Sequence, residues 1–568
     1  MNTLKALWAQ SDGTLLLDER HPEYEAARDF LRMIAALQKR PGGWHTYRLT
    51  PFTLWNAAAS GLSSALVLEK LAALSRSELP RTVEEEIRTH MNRYGKIRLI
   101  AANNELRLRT DTTETMELLS QWTSIASVFS SQPSGTQVVI PTASRGWIKR
   151  ELAARGYPVK DEAGFHTGEA LDVSLRASAD KGEPIILRDY QLEAVDALLG
   201  EAALDGGSGV VVLPCGAGKT WVGMAALTRL KCETLILTPN SVSVSQWISE
   251  LLKNTTLTED EVGEYTGQAK KVRPVTVATY QVLTHRRSKE QDYPHLQLFV
   301  NRDWGLIIYD EVHLLPAPVF RITAEIQATR RLGLTATLVR EDGREGDAFA
   351  LIGPKCYEIP WKTMESKGWI AQAACTEVRV PLDPQTAMSY SAAPKRSRHR
   401  IAGENPRKTE VVKALLRRHR GIPTLIIGQY LDQLHELSRE LSLPLITGEM
   451  PHRSRKRFFE RFNDGEIDVL LVSKVANFAI DLPDASIAIQ VSGSYGSRQE
   501  EAQRLGRILR PKKSGREATF YSLVSDGTDE VEFSRNRARF LLEQGYPYSV
   551  ERWDSMELTT GSEKVTPS

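Results

Sequence analysis

Between Gly209 and Leu230 the chain reads GVVVLPCGAGKTWVGMAALTRL. A β-branched run enters a glycine loop, and a Lys-Thr pair opens an apolar helical stretch. Strand, loop and helix in that order make a cradle for phosphate. The glycines let backbone N–H groups approach phosphate oxygens at the start of the helix. Lys219 can neutralise β and γ oxygens, and the Thr220 hydroxyl can ligate Mg²⁺. Cys215, Gly216, Ala217, Gly218, Lys219 and Thr220 are therefore the candidate ATP contacts. The strict pattern has glycine where this chain has Leu213, so the loop is a variant.

Around this loop short strands alternate with helical stretches: GVVVLP, TLILTP, VTVAT, WGLIIYDE and RLGLTAT. The alternation returns from residue 404 with TLIIGQ, PLITG, DVLLVS and IAIQVSG. It predicts two parallel α/β units in tandem. The 568 residues exceed one core, and three or four units are expected. The expected divisions are an α+β N-terminal region over 1–175, a first α/β unit over 176–376, a short basic segment over 377–403, a second α/β unit over 404–553 and a polar tail over 554–568. In the N-terminal region, periodicity predicts helices over 22–39, 51–60, 64–75 and 82–94. Thr50-Pro51 suits a helix start and Gly61 a helix end. KIRLIAA and ELRLRT flank a turn near Asn103-Asn104 and predict a hairpin, and TQVVIP predicts a further strand. Isolated tryptophans here, Trp44 and Trp55, are expected in the core more than on DNA.

Composition narrows the class. With 41% hydrophobic and 25% charged residues, a wholly disordered or collagen-like chain is excluded. No apolar run approaches the roughly 18–20 residues that span a bilayer, and the start lacks a secretory pattern. A cytoplasmic protein with no membrane partner is expected. Four scattered cysteines without a CxxC pair argue against a zinc ribbon or disulfide framework. Net charge is only +2, yet Glu377–Arg420 holds eleven Lys/Arg against four Asp/Glu. Such a region can be a footprint for phosphates or a solvated basic face.

Downstream of the loop, LIIY runs into Asp310-Glu311-Val312-His313, a DEVH string. A carboxylate at a strand end can hold Mg²⁺ through its water shell, and its neighbour can take a proton from attacking water. Asp310 is the expected metal partner and Glu311 the expected base. The second α/β unit carries Gln503-Arg504-Leu505-Gly506-Arg507-Ile508-Leu509-Arg510. Arg507 and Arg510 are candidates for stabilising the charge on a transferring γ-phosphoryl.

These residues, in this order, resemble the superfamily-2 helicases, and more closely the XPB (xeroderma pigmentosum group B) family in its compact archaeal and bacterial form. LRDYQLEAV resembles that superfamily's adenine-reading segment, which implies Gln191 and Arg188 at the base; the resemblance of SKVANFAIDLP and QRLGRILR implies Asp481 and Gln503 toward the nucleotide. LTPNSVSVSQW and ATYQVL look like its DNA-contacting motifs, which implies Thr238, Gln246, Thr279 and Tyr280 on DNA. LGLTAT looks like the motif coupling hydrolysis to DNA, with Thr335, Thr337 and His313 in that role. Arg340-Glu341-Asp342 resembles the RED element of XPB proteins, used in opening duplex DNA. SKVANFAIDLP, VSGSYGSRQEEAQRLGRILRPK and RARFLLEQGYPYSV are similar to the same family. So are QSDGTLLL, HTYRLTPFTLWNAAASG and RYGKIRL near the N-terminus. Thr447 and Ser473 sit at matching DNA-contact positions. The family's thumb-like insertion corresponds to a short stretch with Lys395, Arg396 and Arg398. The superfamily commonly has glycine where this chain has Ala479.

The resemblance implies two RecA-like motor domains and an ATP- and Mg²⁺-dependent 3′–5′ DNA helicase, acting on single-stranded or forked DNA. It also implies a repair role with a repair nuclease or other repair protein as partner. Two other readings stay open at this point. One is a translocase that moves on duplex DNA without separating strands. The other is a DNA-binding scaffold with an idle ATPase fold.

Overall fold

The computed structural model describes residues 5–39, 44–102, 105–178, 182, 184–200, 207–214, 216–286, 293–315, 319, 322–323, 326, 329–336, 345–473, 485–493, 518–543 and 546–553. The chain packs as two compact units, Met1–Leu213 with Gly218–Ile359, and Pro360–Ser568 with Pro214–Ala217.

The first unit opens with two small sheets. One is antiparallel, in the order Leu7–Ala9, Thr14–Asp18, Trp44–Leu49, Ala35–Lys39. The helix expected over 22–39 ends early: it spans Tyr24–Ile34, and Ala35–Lys39 is a strand. Ala, Leu, Gln and Lys all favour helix locally, so sequence periodicity runs on. Pairing of Ala35 with Leu49 and burial of Leu37 override that preference. The other three helices stand at Pro51–Ala59, Ser64–Leu74 and Arg81–Arg93. Thr50 caps the first of these by accepting from Thr53 N, with Pro51 at its first turn. The hairpin is Ile97–Ala102 with Glu105–Thr110, flanked by Gln137–Ile140 and Val159–Glu162 in a second small sheet.

Seven parallel strands follow: Ser208–Val212, Thr234–Thr238, Val262–Tyr265, Val275–Thr279, Leu306–Asp310, Arg330–Thr335 and Lys355–Glu358. Their spatial order is third, fourth, second, fifth, sixth, first, seventh. The second unit has seven more: Ala373–Val380, Thr424–Gly428, Leu445–Ile446, Val469–Ser473, Ile487–Gln490, Ala518–Ser525 and Tyr548–Arg552. They too are parallel and have the same order. Two copies of one winding are the mark of two RecA-like domains. Strands such as Thr234–Thr238 and Thr424–Gly428 are buried along their whole length, as parallel strands covered on both faces require.

The second sheet draws its first strand from Ala373–Val380, ahead of the span 404–553 read from sequence. That strand leads to no glycine loop. Asp383 instead caps a helix, Pro384–Ala392, by accepting from Gln385 N and Thr386 N. A second helix, Lys395–Gly403, follows. Much of the basic excess of this region is spent internally. Lys408 is buried against Glu530 at 2.9 Å, Arg379 pairs with Glu377, Lys413 with Glu440, and Arg400 with Glu404. Arg398 donates to the carbonyls of Ala393 and Ser391 and lies over the Tyr390 ring. Lys395 and Arg396 remain exposed.

The N-terminal helices dock on the first large sheet. Phe349, on the helix Glu345–Leu351, receives the rings of Phe52, Trp55 and Tyr94 at centroid distances of 6.2, 5.9 and 6.2 Å. Trp55 is thus a core residue, while Trp44 lies under the Arg76 guanidinium. Asn56 Oδ1 accepts from Lys355 N at 2.9 Å, and Arg32 pairs with Glu358 at 3.1 Å. Among the described residues no single helix is long and apolar enough to cross a membrane.

Burial alone would raise the Glu358 carboxyl, but Lys355 and Arg32 outweigh it and bring it from 4.5 to about 2. A depressed carboxyl stabilises the fold above its unfolded value and loses that contribution as pH falls through its folded one. Glu358→Gln lacks the contribution at every pH. Thermal melts of parent and variant should therefore differ at pH 7 and converge between pH 4.5 and 2; a gap that stays constant would refute the pairing.

Candidate nucleotide-binding site

The phosphate loop leaves Ser208–Val212 at the carboxyl edge of the first large sheet. Leu213, the variant position, is fully buried and donates its N–H to Thr335 O at 3.0 Å. Gly216 and Gly218 have φ of 81° and 77°, in the left-handed region that L side chains avoid. Gly218 caps the helix Lys219–Leu230. A Cβ at Gly218 would lie 2.6 Å from Gln191 Nε2, so the Gln191 amide rests against the loop itself. Gln191 is held there as the third residue of the helix Asp189–Leu199, where its Oε1 accepts from Arg188 N at 2.9 Å. The Arg188 guanidinium reaches the Tyr190 hydroxyl at 3.4 Å.

The order of strands places the acidic pair beside this loop. Leu306–Asp310 lies next to Arg330–Thr335, which lies next to Ser208–Val212. Asp310 is level with Leu334, and Thr335 with Val212. Lys219 Nζ therefore reaches Glu311 Oε1 at 3.1 Å. His313 Nδ1 sits 3.5 Å from Glu311 Oε2 and 2.8 Å from Thr335 Oγ1. One polar chain thus runs Lys219–Glu311–His313–Thr335. Glu311 adopts φ 49°, a conformation that non-glycine residues rarely hold and that functional sites often carry.

Electrostatics separate the two carboxyls. Burial, then the neighbouring Glu311, pushes the Asp310 carboxyl up to about 6. Burial would raise Glu311 as well, but Lys219 and His313 outweigh it and hold that carboxyl below its usual value. Two adjacent half-buried carboxylates facing one lysine form an oxygen-rich, under-neutralised site. Such oxygens fit Mg²⁺, which takes oxygen ligands and usually keeps several waters and phosphates.

Several expected DNA contacts are committed elsewhere. Tyr280 is 3% exposed and donates its hydroxyl to Asp310 O at 2.9 Å. Thr238 is fully buried and donates to Asn240 O at 3.2 Å. Thr279 caps the short helix Tyr280–Leu283. These three side chains are buried in this structure, and Tyr280 holds the backbone of the acidic pair from behind. Thr335 and His313 are buried in the polar chain. Ser473 is buried at the end of its strand, Thr447 is half-buried, and Gln246 is exposed. Cys215, Thr337, Arg340, Glu341, Asp342, Asp481, Gln503, Arg507 and Arg510 lie outside the described residues.

One participant escaped the sequence reading. Trp247 Nε1 donates to Asp310 Oδ2 at 3.0 Å. Its trace was Gly223, a glycine inside the helix of the phosphate loop, where glycine costs stability unless a neighbour needs the space.

Comparison with known proteins meets this geometry. Residues 364–563 match the family profile described as ERCC3/RAD25/XPB C-terminal helicase. Residues 184–340 match "Type III restriction enzyme, res subunit", and residues 7–132 match "Helicase conserved C-terminal domain". A "DNA 3'-5' helicase XPB" of Kineococcus radiotolerans is 49% identical, with 97% of each chain covered. The chain belongs to the XPB family. A second relative of the same name, from Mycobacterium tuberculosis, is 48% identical over 97% of this chain and 98% of its own. The XPB reach extends to Saccharomyces cerevisiae. There the "General transcription and DNA repair factor IIH helicase/translocase subunit XPB/SSL2" is 32% identical over 96% of this chain and 72% of the relative.

Alanine at Gly218 must adopt a left-handed backbone and displace the Gln191 amide, at a cost of about 1–3 kcal/mol. Gly218→Ala should weaken binding of a fluorescent ATP analogue about tenfold or more while lowering the melting temperature by only about a few degrees. Unchanged nucleotide affinity would contradict the placement.

Proposed function

We propose that this chain is an ATP-dependent 3′–5′ DNA helicase of the XPB kind that couples hydrolysis to movement along DNA and opening of the duplex. The observation that carries it is the polar chain Lys219–Glu311–His313–Thr335: Lys219 pairs with Glu311, and His313 stands 3.5 Å from Glu311 and bonds Thr335, so the phosphate loop, the acidic pair and the sixth strand meet. A DNA-binding scaffold has no use for such a line. The direction of travel and the repair role rest on the relatives' names.

In this reading Lys219 meets the β and γ phosphate oxygens, and Thr220 and Asp310 hold Mg²⁺, which supplies charge neutralisation at the phosphates. Glu311 orients the attacking water and accepts its proton; its lowered pKa keeps it ionised and ready to accept. His313 holds Glu311 and passes its state to Thr335 at the foot of the segment that leads to Arg340–Asp342. Gln191 reads the base side of the loop. Arg507 and Arg510 are proposed to neutralise charge on the transferring phosphoryl. Gln246, Thr447, Lys395 and Arg396 are proposed on the DNA backbone, and Arg340, Glu341 and Asp342 at the point of strand separation. The partner is single-stranded or forked DNA, with a repair nuclease or other repair protein as a further proposed companion. The N-terminal region, with its own helicase-profile match, is proposed to engage DNA or that companion.

The yeast relative's name includes "translocase", which keeps a second reading in view: movement on duplex DNA without strand release. A 3′-tailed duplex separates the two, because the helicase displaces the tailed strand and the translocase does not.

Lys219→Ala removes the cation facing the phosphates and should lower DNA-stimulated phosphate release roughly 100-fold or more. DNA affinity should stay close to the parent's. Glu311→Gln should bind ATP and stall. Parent-like turnover in either variant would remove the assignment. Affinity for DNA should also fall steeply as salt rises, linearly on logarithmic axes, if phosphate contacts dominate.

A further inference from the structure

We propose that Trp247 is a positioning residue for the metal-holding carboxylate, and that Gly223 is glycine because Trp247 must cross its helix to reach it. The inference rests on the reading of Asp310 given above and adds a residue to it.

The geometry is specific. Trp247 lies on the helix Ser241–Asn254, whose N-terminus Asn240 caps by accepting from Val242 N and Ser243 N. The indole is 2% exposed. Its one polar atom, Nε1, donates to Asp310 Oδ2 at 3.0 Å. The far edge of the ring lies over the helix of the phosphate loop. A Cβ at Gly223 would stand 2.6 Å from Trp247 Cη2 and 3.3 Å from Cζ3. Backbone, not a flexible tip, fixes Gly223, and a buried indole has no free direction in which to move. Glycine in mid-helix costs about 1 kcal/mol relative to alanine. Here the missing methyl is the space through which the indole reaches the acidic pair.

The effect on Asp310 is to remove its freedom. Tyr280 already holds the Asp310 carbonyl at 2.9 Å. The Trp247 bond fixes the carboxylate about its own torsion, so one oxygen is committed to the indole and the other is aimed. Outer partners of this kind set the orientation of a metal-ligating group, and losing one typically costs about 10–100-fold in metal affinity or activity. Trp247 follows the exposed Gln246 on the same helix. A shift of that helix would therefore be transmitted through the indole to Asp310 without passing through the phosphate loop.

The test uses the full chain and a fluorescent ATP analogue, with Mg²⁺ as the titrant. Trp247→Phe keeps a ring in the slot and deletes the donor. Gly223→Ala keeps the donor and pushes the ring. Each variant should need about 10–100-fold more Mg²⁺ to reach half of the metal-dependent binding. Affinity for the analogue in the presence of a chelator should stay within about twofold of the parent's, which a general packing defect would not spare. The double variant should be no worse than the worse single one, because both act through one contact. Parent-like Mg²⁺ dependence in Trp247→Phe, or fully additive effects in the double variant, overturns the proposal. Gly223→Ala carries the test alone if Trp247→Phe melts below the assay temperature. If the parent itself shows no Mg²⁺-dependent binding, the reading of the nucleotide site fails instead.

Discussion

The winding of the first large sheet is the constraint on which the rest depends. Its sixth strand runs between the fifth and the first, all parallel. Parallel strands end on the same edge, so whatever follows each of the three is delivered to one place. The first delivers the phosphate loop, the fifth the acidic pair, and the sixth Thr335. No long-range loop has to fold over to assemble the site. Ligands of open α/β sheets gather beyond the carboxyl ends of the strands for this reason. The second sheet repeats the winding, but its first strand ends in Pro381 and a helix cap at Asp383 instead of a glycine loop. One architecture therefore appears twice, and among the described residues the phosphate loop follows the first strand of the first copy.

Within that site the charges are arranged to be unequal. Asp310 and Glu311 are neighbours in sequence, both half-buried, and face one lysine. Lys219 and His313 side with Glu311, so Glu311 stays ionised while Asp310 is pushed toward protonation. Neighbouring carboxyls with opposed shifts are a familiar way to assign two roles to one residue type. The left-handed backbone of Glu311, φ 49°, marks the turn from the strand into the short helix Val312–Leu314.

What the sequence made legible were features with a local chemical cause. The phosphate loop needs glycines, the DEVH string needs a strand before it, and the hairpin at Ile97–Thr110 shows its alternation openly. Features that depend on partners far along the chain were not legible. Ala35–Lys39 favours helix until Trp44–Leu49 pairs with it. Tyr280 and Thr238 look like surface hydroxyls in a DNA-contact string until burial turns them inward. The strand Ala373–Val380 carries no glycine motif, because Pro381 and an Asp383-capped helix follow it. The basic excess of 377–420 looked available, yet Lys408 meets Glu530 more than a hundred residues away. Trp247 was one of eleven tryptophans, and only Gly223 hinted at its course.

The docking of the N-terminal helices on Phe349 bears on how the protein could be trimmed. Phe52, Trp55 and Tyr94 cover that ring, while Asn56 and Arg32 tie down the strand that follows it. A shortened protein beginning at the first motor strand would leave a greasy scar on its flank and an untethered edge strand beside it. The stretch from Arg32 to Tyr94 thus serves as a built-in cover for that flank, and a minimal version would need a replacement for it.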